Sequence, residues 1–503
     1  VYLDRMAEEK EILENIFGLS ILRYVSYFFM IVAGIVITKF LGPAGFGIYS
    51  AMMLILNYSQ YAFMPFYSAC LKKISFFKGK KEFYKINEIR DSTFAPSFYI
   101  TLLISFIVFL SSFFLDFDTE ILSALRLVSI LIILQQFNYF YAIYLRTDKK
   151  FVFLGIVNLI YNVLRLVLII LFIKSLGIWG VLFAAILAYI ISLMFGFVKV
   201  PYSFRFKFSK KKAKEMFFFG LPPTLLSGAS TIFTSIDKLM IIKYFERTSL
   251  GLYSFAVLVL EIITFIPANI ATVILPSLLE REGANSKVVA KKNLFFMPMI
   301  IISYLLPIII GGAFCFSEPV LRFLFPKYIL ALNPLNILVF GSFFIANLYL
   351  LESYIVSVNK EKMVIVPKIL FIVFSVLFNF VAIKVGYGLF GVAIATTFSY
   401  GLYFFYLLLF SCKLFCKSHS ELTKDMLIIL FPFIYLILLF IGLNQFKIAA
   451  DGIVISFIAA LLKYLVFIMF NVPLWVYVNK KTRVLTLAYR QAKIKFFGLF
   501  NLH

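Results

Sequence analysis

Fourteen stretches of this chain, each close to the length that crosses a lipid bilayer, follow one another with mostly short polar breaks. They lie at roughly 16–39, 46–70, 94–115, 121–145, 151–173, 176–198, 216–243, 250–278, 294–316, 333–358, 363–384, 388–411, 426–444 and 452–478. A bilayer core about 30 Å thick needs about 20 mainly apolar residues per spanning helix. The apolar residues are contiguous rather than alternating with polar ones, which selects helices over a membrane barrel. A soluble fold is excluded: 63% of the residues are hydrophobic and 14% charged, against nearer half and a quarter in soluble domains. The expected fold class is an all-α membrane protein of about fourteen transmembrane helices.

The formal net charge is +24, but its placement argues against nucleic acid. With Asp4 cytoplasmic and sides alternating, about 34 of the 48 Lys and Arg fall on one side and about 8 on the other. This is the positive-inside pattern; it places both termini in the cytoplasm and makes anionic membrane lipids the expected electrostatic neighbours. Residues 1–15, with Asp4, Glu8, Glu9, Glu11 and Glu14, read as a short amphipathic cytoplasmic helix, with no cleavable signal peptide expected. Cys70, Cys315, Cys412 and Cys416 form no disulfide framework. Cys412 and Cys416 fall at a cytoplasmic helix end, where thiols stay reduced, and no second Cys or His pair accompanies them to suggest a metal.

The most charged connection follows six spans. It reads as a basic cytoplasmic linker, 201–215, between an N-lobe, 16–200, and a C-lobe, 216–412; residues 413–479 add spans 13 and 14, and 480–503 form a basic cytoplasmic tail. Internal similarity supports two lobes. Leu176-Gly-Ile-Trp-Gly-Val-Leu-Phe-Ala184 resembles Tyr387-Gly-Leu-Phe-Gly-Val-Ala-Ile-Ala395, 211 positions on, and Gly47-Ile-Tyr-Ser50 resembles Gly251-Leu-Tyr-Ser254. Two pseudo-symmetric six-helix lobes plus two C-terminal helices follow. In transporters built this way the substrate path lies between repeats that rock against one another.

An ionisable group in mid-membrane costs about 2.5–3.5 kcal/mol on insertion scales and normally faces protein or a wet cavity. The spans contain Arg23, Arg126, Arg165, Lys238, Lys368 and Lys463, with Asp237, Glu261 and, near a cytoplasmic end, Glu352. In span 7, Pro223, Ser227, Ser230, Thr234 and Asp237 recur at helical spacing as one polar stripe, which serves either as a cavity wall or as a tight packing face. Span 5 puts Asn158, Asn162 and Arg165 on one face; side-chain amides suit sugar hydroxyls or helix–helix bonds equally. Arg23 and Lys368 lie about one turn inside a helix end and can snorkel, whereas Glu261 lies deeper. Arg126 and Lys463 read as interface anchors. Enzyme chemistry finds no frame: there are two histidines and no phosphate loop, zinc spacing or nucleophile elbow. Asp116-Phe-Asp118 mimics a metal-binding pair but sits in a short outer turn without a catalytic domain.

Several elements resemble a known family. Lys39-Phe-Leu-Gly-Pro-Ala-Gly-Phe-Gly-Ile-Tyr49, Phe219-Gly-Leu-Pro222 and Thr234-Ser-Ile-Asp-Lys238 followed by Gly251-Leu-Tyr253 resemble, in order and spacing, elements of polysaccharide flippases. These form the Wzx-type branch of the multidrug/oligosaccharidyl-lipid/polysaccharide exporter superfamily, and the six-six-two layout fits over nearly the whole chain. The resemblance implies a transporter, not an enzyme, that carries undecaprenyl-pyrophosphate-linked oligosaccharide from the inner to the outer leaflet of the cell membrane by alternating access. It implies a cavity lined chiefly by spans 1, 2, 7 and 8, which lends weight to Arg23, Asp237, Lys238 and Glu261. Arg23 and Lys238, with Arg165, are the expected pyrophosphate contacts, since cations offset an anion that a low-dielectric cavity would otherwise exclude. Asn158, Asn162, Ser227, Ser230 and Thr234 are expected sugar or cavity contacts. Asp237 and Glu261 are candidates for coupling to a proton or sodium ion. No cofactor or resident metal is expected. The expected state is a monomer, with polysaccharide assembly proteins as partners. Rival readings are a lipid II flippase, a cation-coupled multidrug exporter and, from another class, a membrane-embedded glycan polymerase or ligase.

Overall fold

The structure, a computed structural model, describes residues 2–204, 206, 209–283, 288–357, 360, 362–415, 419–445 and 452–482. The described side chains leave out those of residues 2–20, 79, 272–283, 288–295, 414–415, 419, 444 and 481–482. Cys416, the side chain of His419, the amphipathic face expected over 1–15 and the tail beyond 482 therefore lie outside the described residues. Among the described residues there is no strand. The order is α1 (Tyr2–Ser59), α2 (Met64–Gly79), α3 (Tyr84–Phe114), α4 (Thr119–Thr147), α5 (Phe151–Lys199), α6 (Lys210–Phe233), α7 (Ile236–Tyr244), α8 (Arg247–Gly283), α9 (Val288–Pro319), α10 (Leu332–Ser357), α11 (Lys362–Lys384), α12 (Gly388–Phe415), α13 (His419–Asn444) and α14 (Ile453–Thr482).

Twelve of these helical stretches are long and apolar enough to cross a membrane. Two carry two crossings each. The apolar stretch that begins in α1, Ile21–Ala62, runs 42 residues and α5 runs 49, where a straight helix of 42 residues would be about 63 Å long, twice the bilayer core. Both break at a glycine with positive φ, Gly42 (φ 66°) and Gly177 (φ 55°), a conformation that costs other residues heavily. Beyond Gly177 the chain folds back on itself, for a Cβ on Gly180 would stand 2.6 Å from the carbonyl oxygen of Phe172. Gly388, the counterpart of Gly177 in the repeat, has φ 56°. Gly391, the counterpart of Gly180, crowds Ala382 across the same corner. The recurring Gly-x-x-Gly is thus a helical-hairpin corner, built twice. The described residues make fourteen crossings, as the apolar runs require.

The helices pack into two compact units, Val1–Ser235 with Phe245–Gly251, and Ile236–Tyr244 with Leu252–His503. The first unit takes in α6 and so reaches into span 7. The reason is local. Within the first unit α6 packs on α2, and a Cβ on Gly220 would overlap the Pro65 carbonyl oxygen. Tyr61 donates to the Ser227 carbonyl at 3.1 Å, and Tyr58 and Ser235 share a hydrogen bond of 2.6 Å. Span 7 is also not one helix: it starts at Lys210, so Pro222 and Pro223 lie in its interior, and it breaks at Thr234–Ser235 before α7. In the same unit Gly47 and Gly251 seat two segments backbone to backbone. A Cβ on Gly47 would overlap the Arg247 carbonyl, and one on Gly251 the Pro43 carbonyl. In the second unit α10 is central, packed on α12 and α9. Its apolar window is 61% buried, against 17% for α14, which leaves α14 peripheral.

At the lysine-rich ends of α2, α3 and α4 the charges are not all free. Asp148, capping α4, accepts from Lys78, from Tyr202 of the linker and from Arg90 at 3.3 Å. Phe204 stacks on Phe94 at 4.3 Å. The first residues of the linker are therefore docked on the first unit. Burial disfavours the charged carboxylate of Asp148, but the hydrogen bonds from Lys78 and Tyr202 and the charges of Arg90 and Lys78 outweigh it, so its pKa lies below the usual value.

Two outcomes follow. Gly47→Ala, Gly251→Ala and Gly220→Ala should each destabilise the protein by about 1–3 kcal/mol or more and deplete the monodisperse peak in detergent chromatography. Gly442→Ala, with open space around it, should not. Asp148→Asn should lower the thermal midpoint at neutral pH. Because the folded pKa is depressed, the stability Asp148 confers is present above its unfolded value of about 3.9 and fades as pH falls through the folded one. The gap between variant and wild type should therefore close in acid, as thermal scans across pH would read.

Candidate functional site

The first half of α5 carries Asn158, Tyr161, Asn162 and Arg165 at three- and four-residue spacing, hence on one face. Arg165 donates through Nη2 to the Tyr49 hydroxyl at 2.7 Å. Tyr161, one turn before it, stacks on Tyr189 at 4.4 Å, and all three phenols bear on the guanidinium. Arg165 has no carboxylate partner among the described residues, and its Nε is buried without a hydrogen-bond partner. A guanidinium in a low-dielectric setting normally pairs with an acid. Here phenol dipoles hold it in place and leave its charge uncompensated, which suits an incoming oxyanion. Asn162 spends one amide proton on the Asn158 carbonyl at 2.9 Å, and Asn158 is exposed. The span-4 amide Gln136 bonds Ser97 at 2.9 Å, a helix–helix link.

The stripe on α6 is satisfied largely from within. Ser227 donates to the Thr224 carbonyl at 3.0 Å, Ser230 to Leu226 at 3.0 Å and Thr234 to Ser230 at 3.1 Å. Hydroxyls bonded back in this way soften a helix; here the helix ends within one turn. Arg23 is exposed on α1. Of the sequence-predicted residues in this unit, the structure joins Arg165, Asn162 and Asn158 on one face and Ser227, Ser230 and Thr234 on another helix.

In the second unit Asp237 opens α7 and is 1% exposed. Tyr253 donates to Oδ2 at 2.7 Å and the Lys238 backbone N–H to Oδ1 at 2.7 Å. Thr396 Oγ1 lies 3.5 Å from the same Tyr253 hydroxyl, and Asn379 Oδ1 lies 3.5 Å from Thr396 Oγ1. Lys238 thus meets Asp237 through its main chain. Its ammonium, half-exposed, forms no ion pair among the described residues. Glu261 is exposed on α8, with its charge bearing on Tyr349 and Tyr400.

Residues 36–334 match the model of the family described as polysaccharide biosynthesis protein. The chain belongs to that family. Among solved structures, this polysaccharide biosynthesis protein is similar to the lipid II flippase MurJ in an inward closed conformation, at 17% identity over 89% of this chain and 97% of that one, with a TM-score of 0.64. It is similar to an inward-facing MATE family multidrug resistance transporter of the MOP superfamily, at 16% identity over 82% and 99%, TM-score 0.63. A MOP superfamily transporter from Pyrococcus furiosus aligns at 14% identity over 83% and 96%, TM-score 0.55. At such identities the likeness is one of fold. No curated protein sequence matches the chain. The chain is thus a multi-pass membrane protein of the polysaccharide biosynthesis family, with a fold shared by those transporters.

The family motifs take on physical roles. Gly47, Gly220 and Gly251 are points of backbone contact, whereas Tyr49 and Tyr253, two residues beyond Gly47 and Gly251, hold Arg165 and Asp237. Sequence reasoning picked out the two charges but missed the phenols, along with Tyr161, Tyr189, Thr396 and Asn379. The available signal was the recurrence of Gly-x-Tyr, which marks both tyrosines.

Proposed function

We propose that this polysaccharide biosynthesis protein flips a polyprenyl-pyrophosphate-linked oligosaccharide across the cell membrane by alternating access, from the cytoplasmic to the outer leaflet, with both termini cytoplasmic. The observation that carries the reading is Arg165, a guanidinium inside the membrane-spanning part of the first unit with three phenols around it, no acid among the described residues and a buried Nε without a hydrogen-bond partner. A bare pyrophosphate is prohibitively costly in a low-dielectric environment unless cations meet it, and Arg offers a forked donor set for phosphate oxygens. Arg23 and Lys238 are assigned the same role, and Asn158, Asn162, Ser227, Ser230 and Thr234 the sugar. Family membership supports the glycan. A cation-coupled drug exporter is disfavoured, because an uncompensated guanidinium repels cationic cargo.

Asp237 and Glu261 are assigned the coupling proton or sodium ion. Asp237 is favoured by the oxygen-rich surroundings of Tyr253, Thr396 and Asn379. A lipid II flippase is the second reading, favoured by the fold shared with MurJ and by the same pyrophosphate chemistry.

Arg23→Ala, Arg165→Ala and Lys238→Ala should each cut surface polysaccharide about ten-fold or more in a strain lacking its oligosaccharide flippase, at unchanged protein level in the membrane. Full complementation by all three would remove these residues from the mechanism. Rescue of a strain depleted of its lipid II flippase, without restored surface glycan, would favour the second reading. Asp237→Asn should abolish the dependence of flipping on an imposed ion gradient in proteoliposomes; an unaltered gradient response would dismiss the coupling role.

A further inference from the structure

One fully buried charge takes no part in the reading above. Lys368 of α11 is 1% exposed and its Nζ lies 2.7 Å from Oε1 of Glu352 on α10, itself 21% exposed. The ammonium also stands 5.5 Å from the centre of the Tyr403 ring on α12. The Tyr403 hydroxyl is within hydrogen-bonding reach of Glu352 and of the Val364 carbonyl at 3.4 Å. Lys368 sits six residues into a helix that opens with Lys362, about 9 Å along its axis at 1.5 Å per residue. A lysine near a helix end can aim its ammonium toward the interface, and Lys362 at the helix start is exposed. Lys368 instead turns inward to the carboxylate.

The neighbourhood is one that would otherwise bind a cation. Glu352 is a largely buried carboxylate, Tyr403 offers both an oxygen and a ring face, and Tyr349 stands on α10 with the charges of Glu352 and Glu261 both bearing on it. From α9, Ser303 donates to Asn347 of α10 at 3.0 Å. Within the membrane such a carboxylate must be neutralised by a proton, a metal cation or a side chain. An isolated buried pair is rarely a net gain in stability, yet removing one partner leaves the other charge stranded at high cost.

We propose that the Lys368 ammonium is a tethered cation that permanently fills a monovalent-cation site at Glu352, relieving that carboxylate of any need for a coupling proton or sodium ion. Only the transport consequence rests on the flippase reading: flipping by the wild type takes no coupling ion at Glu352, which leaves that exchange to other carboxylates. The occupancy itself is independent of what is transported.

The test is thermal unfolding of the purified full chain in detergent, with the pH varied from about 5 to about 8 across the range in which buried acids and amines titrate, and with sodium or choline chloride as the salt. Lys368→Met strands Glu352. Its midpoint should drop by several degrees at high pH and recover as pH falls, when the acid takes up a proton, or when sodium replaces choline. Glu352→Gln strands Lys368, so its midpoint should show the opposite sign, falling as pH falls, with no response to sodium. The double variant Glu352→Gln/Lys368→Met should lose both dependences and be more stable than either single variant. If Lys368→Met does not survive purification, the sign of the pH profile of Glu352→Gln and the recovery of the double variant decide the matter. Single variants that share one pH profile with the wild type, or a double variant no better than its parents, would overturn the proposal. In a glycan-flipping assay Lys368→Met should acquire a sodium or acid requirement that the double variant lacks. Failure of that arm alone, with the stability pattern intact, would count against the flippase reading and not against the occupancy.

Discussion

In hydrocarbon no water competes for main-chain N–H and C=O groups, so each spanning segment must close its hydrogen bonds on itself. Most of the architecture follows from that constraint. The spanning segments are helices, and reversals between neighbouring spans have to be made with little irregular backbone. At Gly42 and Gly177 the turn is compressed to a corner around one residue with positive φ, and the third corner uses two, Gly386 and Gly388, a conformation only glycine adopts cheaply. Where two segments meet with no side chain between them, as at Gly47, Gly220 and Gly251, association gains its stability from close packing, the main resource left when lipid is as apolar as the partner helix.

The same absence of water governs the ionisable residues, and the protein resolves four of them in three ways. Lys368 and Glu352 neutralise one another as a full pair. Asp237 keeps its carboxylate but receives a phenol proton and a main-chain N–H, one on each oxygen. Arg165 receives only phenol oxygens and retains a donor with nothing to bond. A closed pair has little left to offer a ligand. A carboxylate held by neutral donors can exchange a cation, and a guanidinium held by neutral acceptors can take an anion. Partner chemistry, more than depth in the span, therefore separates structural charges from functional ones.

That distinction also explains what the sequence could and could not reveal. Apolar runs of near-constant length are a direct record of bilayer thickness, so the spans are legible in the sequence, including the two crossings that α1 and α5 each hold on either side of a glycine corner. The ionisable residues were legible because each is anomalous in its span. Their partners were not: Tyr49 is 116 positions from Arg165, and a tyrosine among 64 Phe and 29 Tyr reads as apolar filling. Span 7 misled for another reason. Its three- and four-residue spacing predicts one continuous stripe, but the hydroxyls that make the stripe also bond back to helix carbonyls, and the helix breaks at Thr234–Ser235 before the stripe reaches Asp237.

The motifs that carry family resemblance are mostly glycines and prolines at corners and contacts, and such residues constrain the path of the backbone without touching cargo. The likeness to solved structures at 14–17% identity is one of fold and names no cargo. Tyr49 and Tyr253 are exceptions, since each sits two residues past a packing glycine and reaches a charge. On one helical segment, residues two apart point about 200° from one another. The glycine can therefore face a neighbouring backbone while the tyrosine faces the opposite way, toward Arg165 in one case and Asp237 in the other. Gly-x-Tyr is in this sense a single device that couples a fixed helix contact to a positioned phenol. In the first unit, where Gly47 fixes the helix to within van der Waals tolerance, the Tyr49 phenol arrives at Arg165 with little freedom, and the orientation of that guanidinium is set by packing rather than by other charges.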